Sequence, residues 1–235
     1  MGDNGPMAVE AIAEHTEQGH AEGVFHQFES IEQQNESYIV GMWSFLVTEV
    51  MFFGPLFFAY LLYRWQFQPQ FYLVHKELNV ALGGLNTVIL LFSSFAVAMA
   101  VHFAQKKARQ KQLLWLGLTL ACAFGFLIVK YFEWAHKFHV GHVPGPGFRW
   151  EAAGEAGVVP AGIAELFFSL YFGMTGLHGL HVVIGIICIG TLMILTARKS
   201  KLVESYIPTE MVGLYWHFVD LVWIFLFPLF YLMPQ

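Results

Sequence analysis

The chain has 235 residues, of which 57% are hydrophobic and 12% are charged. Ordinary soluble domains carry about 25% charged residues, so this composition argues against a soluble globular protein and indicates a membrane protein. The formal net charge is −5, and this acidic balance argues against nucleic acid as a partner.

The first predicted unit is an acidic N-terminal tail, residues 1–38. It contains eight Asp and Glu residues and no Lys or Arg. Segments with this composition bury little apolar surface, so we expect the tail to be flexible or only loosely helical. The remaining residues, 39–235, are predicted to form one transmembrane domain.

Five long apolar segments follow the tail. A helix rises 1.5 Å per residue, so about 20 residues cross the roughly 30 Å hydrocarbon core of a bilayer. No alternating, strand-like pattern competes with these segments. The predicted fold class is therefore all-α, an integral membrane bundle of five transmembrane helices. The predicted spans lie near residues 39–63, 79–104, 113–136, 163–196 and 211–233.

The distribution of Lys and Arg between the connecting segments predicts the orientation. The 105–112 and 197–210 connections together hold seven of these residues, whereas the opposite side of the bundle holds four. Cytoplasmic loops of membrane proteins carry the excess of Lys and Arg. We therefore expect the N-terminus in the cytoplasm and the C-terminus outside.

Ionisable residues inside three of the spans are the main candidates for function. The first span contains Glu49, the fourth contains His178 and His181, and the fifth contains His217 and Asp220. Each of the last two pairs is spaced i, i+3 and so shares one helix face. We predict an interhelical polar network that ties these three spans together. Glu49 has two readings: a neutral carboxylic acid that holds helices together, or a buried proton-exchanging group.

A second polar cluster is predicted near the outer ends of the helices. Lys130 and Glu133 lie at the end of the third span and Glu165 lies at the start of the fourth. Lys130 and Glu133 can pair with each other or with Glu165. Such a pair is more often structural than catalytic.

Metal and cofactor signals are weak. Glu133-x-x-His136 matches half of a di-iron bundle motif, and a second copy is missing. His136, His139 and His142 form a spaced trio at the membrane edge. No haem-attachment, phosphate-loop or dinucleotide motif is present. We therefore expect this chain to bind no metal or redox cofactor, and to contain no catalytic residue of its own.

Five stretches, in order, carry a family resemblance: TEVMFFGPLFFAYL, LNTVILLFSS, KYFEW, FFSLYFGMTGLHGLHVVIG and YWHFVDLVWIFLFPLFYL. Together they resemble subunit III of the haem–copper cytochrome c oxidases. The likeness runs from about residue 38 to the end. In the family's long form, seven helices divide around a lipid-filled cleft. The five spans here resemble the short bacterial type, and the two-helix N-terminal portion has no counterpart.

The resemblance implies an accessory subunit of a proton-pumping terminal oxidase, which reduces O₂ to water. Haems and copper are then expected in partner subunits, with subunit I as the direct partner. Subunit II, other oxidase subunits and phospholipid are further expected partners. The family's carbodiimide-reactive glutamate corresponds to Glu49. Its conserved histidines and aspartate correspond to His178, His181, His217 and Asp220.

The predicted function is therefore support of subunit I and of proton uptake, in a bacterial cytoplasmic membrane. The acidic tail would suit docking in a larger respiratory assembly. A quinol oxidase subunit III is the alternative within the family. Two alternatives from other classes are a stand-alone proton-coupled transporter, which lacks the expected inverted repeat, and a membrane metalloenzyme that uses the histidine trio.

Overall fold

A computed structural model describes residues 28, 30–150, 159–200, 203 and 205–233. These described residues contain six helices and no strand. Five of the helices are long and apolar enough to cross a membrane, which confirms the predicted helical membrane bundle. In chain order the helices are α1 (Ile31–Gln66), α2 (Gln68–His75), α3 (Val80–Gln105), α4 (Arg109–Val140), α5 (Ala161–Ala197) and α6 (Ile207–Tyr231).

The helix bounds differ from the predicted spans mainly at polar ends. α1 begins at Ile31, inside the segment predicted as a tail, and Ser30 caps it by accepting a hydrogen bond from the Gln33 N–H at 3.2 Å. Hydropathy marks only the part of a helix that lies in hydrocarbon, whereas the helix itself continues into the polar interface. The short helix α2 was not predicted. The rest of the tail lies outside the described residues.

Helix α6 occupies the centre of the bundle. Half of the residues in the most apolar stretch of α6 are buried, whereas only 17% of the residues in the corresponding stretch of α1 are buried. Trp216, Trp223 and Phe230 recur every seven residues on α6 and are fully buried. α6 therefore supplies the core, and α1 lies at the periphery.

Two glycines allow α6 to approach its neighbours closely. A Cβ atom on Gly185 of α5 would lie 2.6 Å from the Trp216 ring, and a Cβ on Gly83 of α3 would lie 2.9 Å from the Tyr231 ring. Neither distance is tolerated by real side chains. Small residues at such crossings let helices pack closely where lipid provides no hydrophobic drive between them.

Helix α1 contacts the bundle through a narrow seam. Leu46, Phe53 and Tyr60 are its buried apolar residues, and they are spaced seven apart. Much of the remaining apolar surface of α1 is exposed. Between α1 and α6 lies an apolar cavity of about 630 Å³, with Arg64 among the lining residues. A residue three positions after Leu46 and four before Phe53 shares the buried face of α1 with them and so points toward the bundle.

Candidate functional site

Glu49 lies on this seam and reaches α5. Its Oε2 lies 3.0 Å from Nε2 of His181. The exposed fractions of the two side chains are 17% and 11%, so the contact is largely shielded. Phe53, one turn further along α1, covers the imidazole with a ring-centre distance of 5.1 Å. The i, i+4 spacing of Glu49 and Phe53 puts both against the same histidine.

The hydrogen bonds of His181 fix how many protons the pair holds. Nδ1 of His181 lies 2.8 Å from the Leu177 carbonyl oxygen. A carbonyl only accepts, so Nδ1 must carry a hydrogen. The contact between Nε2 and Glu49 then needs one more proton, on either the imidazole or the carboxyl group. Without that proton, two acceptors would face each other at 3.0 Å.

In the described part of the chain, no hydrogen bond joins the other three predicted network residues to this pair. His217 Nδ1 lies 2.7 Å from the Ser94 hydroxyl and so links α6 to α3. Among the residues that the structure describes, both ring nitrogens of His178 are buried and have no hydrogen-bond partner, whereas the buried carboxyl group of Asp220 lies near the same Ser94 hydroxyl. His178 packs against Trp223 instead, at a ring-centre distance of 5.3 Å. A different hydrogen bond joins α5 to α6: the Tyr215 hydroxyl donates to the His181 carbonyl at 3.1 Å.

The outer-end cluster is a buried ion pair surrounded by tyrosines. Lys130 Nζ donates to Glu133 Oε2 at 3.0 Å and to the Tyr231 hydroxyl at 2.8 Å. Glu133 Oε1 accepts from the Tyr171 hydroxyl at 2.8 Å and also from the Tyr231 hydroxyl. The ammonium lies 4.7 Å from the centre of the Trp223 ring. Charges from α4 are therefore satisfied by groups from α5 and α6.

Sequence reasoning missed both tyrosines and placed Glu165 with this cluster. In the structure Glu165 Oε1 accepts a hydrogen bond from the Gly145 N–H at 3.0 Å, in the α4–α5 connection. A buried tyrosine needs a partner for its hydroxyl group. This signal could have marked Tyr171 and Tyr231 as residues that need polar partners, but not which partners they have.

The three histidines at the end of α4 do not converge. His136 and His139 are exposed, whereas His142 is buried against Phe168 at a ring-centre distance of 5.0 Å. Burial, followed by the nearby Lys137 ammonium, lowers the pKa of His142. Among the described residues, no group of three or more His, Cys, Asp or Glu side chains could hold a metal ion.

The fold and these contacts define a class: an integral membrane helix bundle that keeps ionisable side chains paired between its helices. A family model for cytochrome c oxidase subunit III matches residues 153–234. Cytochrome c oxidase subunit 3 of Bacillus subtilis (strain 168) is 30% identical over 207 residues, covering 87% of this chain and 90% of that protein. The chain belongs to the cytochrome c oxidase subunit III family.

Two further relatives show how widely the likeness extends. Cytochrome c oxidase subunit 3 of Synechocystis sp. is 32% identical over 199 residues, which are 82% of this chain and 74% of that protein. Quinol oxidase subunit 3 of Bacillus subtilis (strain 168) is 29% identical over 223 residues, which are 94% of this chain and 97% of that protein. Relatives of both oxidase types thus match at similar identity.

Proposed function

We propose that this chain is the accessory subunit III of an aerobic haem–copper terminal oxidase, and that it stabilises subunit I and supports proton uptake. The near-complete alignment with oxidase subunits supports the assignment. The partly buried pair Glu49–His181 is the single observation that carries the proton role. The chain acts within the oxidase complex, where partner subunits hold the haems and copper.

The pair has the chemistry of a proton store. Its shared proton is required for a favourable Glu49–His181 contact, because two acceptors would otherwise face each other at 3.0 Å. Partial burial limits exchange with bulk water, and aromatic rings cover the imidazole. Such a pair, beside the redox subunit, keeps a proton at the lipid boundary that can be transferred to that subunit.

The exposed apolar surface of α1 supports a role in assembly. Val47, Met51 and Phe58 are 56%, 71% and 63% exposed. Such surface suits either lipid or the helices of partner subunits. Phospholipid is the proposed occupant of the cavity between α1 and α6, which is apolar along its length and has a cation, Arg64, in its lining.

The electron donor separates two forms of the proposal. Cytochrome c oxidase is the main assignment and quinol oxidase the alternative, since relatives of both kinds match this chain. Purification through a tag on this chain, followed by mass spectrometry, identifies the co-purifying subunits. Copper bound by the co-purifying subunit II supports cytochrome c as donor. Isolation of the tagged chain without any oxidase subunit contradicts the proposal.

The substitution Glu49→Gln separates the proton role from packing. The glutamine amide can still donate a hydrogen bond to His181 Nε2, but it cannot exchange a proton. We expect a complex with unchanged haem spectra that loses activity faster during turnover. Glu49→Ala removes the interhelical bond as well and serves as the comparison. If the glutamine variant sustains turnover as the parent does across the pH range, the pair has only a structural role.

A further inference from the structure

A small basic cavity lies at the end of the bundle where α3 meets α4 and α5 leads to α6. Its volume is about 310 Å³. The described lining residues include three cations, Lys107, Arg109 and Lys199, and no acidic residue. None of its lining residues belongs to the Glu49–His181 pair or to the Lys130–Glu133 cluster.

The helices α3 and α5, which end beside the cavity, have the same hydrogen-bonding pattern at their C-terminal ends. The N–H groups of Ala108 and Ser200 each bond to the carbonyl five residues earlier, at 2.9 and 3.1 Å. This motif needs a left-handed residue just before, and glycine usually fills that position. Here the residues are Lys107, with a φ of 54°, and Lys199, with a φ of 55°. The chain places a lysine twice where glycine is favoured, and both lysines line the cavity.

Arg109, and not the two lysines, satisfies the carbonyl groups at the C-terminal end of α5. Its Nε donates to the Thr196 carbonyl at 2.6 Å, and its Nη2 donates to the Ala197 carbonyl. These contacts satisfy the negative end of α5. The two lysines are exposed and are not required for that purpose.

A buried hydroxyl in the cavity lining also needs a partner. Thr196 is 5% exposed and lines the cavity. Its Oγ1 has no hydrogen-bond partner among the described residues. Buried hydroxyl groups in proteins are nearly always hydrogen-bonded, so this atom indicates that a ligand or solvent oxygen belongs beside it.

We propose that this cavity binds a phosphate group, with Lys107 and Lys199 as the cations that attract it and Thr196 as a hydroxyl donor. Lysine is a common point-charge ligand for phosphate, and basic pockets between transmembrane helices bind anionic lipid head groups. The cavity lies at the ends of spanning helices, at the level of such head groups. The phosphate comes from an anionic phospholipid or from solution.

The test replaces both left-handed lysines by glycine. Lys107→Gly with Lys199→Gly removes two charges and relieves the unfavourable backbone conformation, so the variant should be at least as stable without ligand. Lys106→Gln with Arg198→Gln is the matched control. It removes two charges from the same turns, at residues that do not line the cavity.

The assay uses the complex purified through a tag on the full chain and delipidated in detergent. Phosphatidylglycerol is titrated in, and bound lipid is counted by native mass spectrometry. A parallel arm adds inorganic phosphate and measures thermal stability. Each lysine near an anionic surface contributes about 1 kcal/mol, and 1.4 kcal/mol is tenfold in Kd. The glycine variant should therefore bind about thirtyfold more weakly, and the control should bind as the parent does.

Each outcome decides the proposal. Phosphatidylglycerol binding that weakens only in the glycine variant supports a lipid source. Stabilisation by inorganic phosphate that disappears only in the glycine variant supports a soluble source. The proposal fails if the parent binds neither probe, if the glycine variant binds both as the parent does, or if the control loses binding equally.

Discussion

The buried pair Lys130–Glu133 allows a quantitative prediction about what holds the outer end of the bundle together. Lys130 is 8% exposed and Glu133 is 4% exposed, and among the residues that the structure describes the Glu133 carboxylate is the negative charge that contacts the ammonium. Replacing one member of a buried ion pair leaves the other charge uncompensated, which typically costs 3–5 kcal/mol. We therefore expect Glu133→Gln to lower the free energy of unfolding by about 3–5 kcal/mol.

Replacing the lysine of the pair should lower the free energy of unfolding by less. In Lys130→Met the carboxyl group of Glu133 keeps its hydrogen bonds from Tyr171 and Tyr231. The cost should be about 1–3 kcal/mol, in the range for a disturbed buried hydrogen-bonding group. The double variant Lys130→Met with Glu133→Leu removes both charges and should be less destabilised than Glu133→Gln alone.

Tryptophan fluorescence reports this unfolding directly, because Trp223 lies against the Lys130 ammonium. Denaturant titration of the purified complex in mixed micelles gives the free energies for the parent, both single variants and the double variant. Two results would refute the reasoning: a loss below about 1 kcal/mol for Glu133→Gln, or a double variant as unstable as that single one. Either would mean that water, and not the partner charge, satisfies these groups.

Two further predictions test packing and pH dependence. Gly185→Ala should destabilise the bundle by about 1–3 kcal/mol because its Cβ would meet Trp216 at 2.6 Å. Gly173→Ala on the same helix meets nothing within 4 Å and should be neutral or slightly stabilising when the thermal unfolding of both variants is measured. Burial lowers the pKa of His142, so the unfolded chain takes up a proton there more readily than the folded chain. Stability should fall as the pH drops below about 6.5, and His142→Phe should reduce this fall, whereas substitution of the exposed His139 by Gln should not.

The polar residues show how far sequence reasoning reaches. Glu49 is identifiable as a residue that faces the bundle, because a carboxylate inside a long apolar helix is costly in lipid unless it finds a partner. The partner of Glu49 is not identifiable, because His178 and His181 lie one turn apart on the same face of α5 and either could be the residue that meets it. The rotation of α5 against α1 decides that His181 meets Glu49 and that His178 meets Trp223. Periodicity gives a face of a helix, and only helix packing selects the residue that makes the contact.

The same limit applies to the charged cluster and to the basic cavity. The i, i+3 spacing of Lys130 and Glu133 predicts that they can pair, and they do. Tyr231 is about a hundred residues away along the chain, and no local pattern connects it to them. Lys107 and Lys199 are ordinary loop lysines in sequence. Their common left-handed conformation and shared cavity exist only once two helix ends lie side by side.

The sequence by itself determined the class of architecture, since five apolar segments of spanning length have to be helices in lipid, where every backbone polar group must be bonded within its own segment. It also determined the family, through five stretches that lie far apart along the chain. The tertiary structure decided which ionisable groups are partnered and which are left unpaired. Those partners come from different helices, and their meeting depends on close approaches such as that of Gly185 to Trp216.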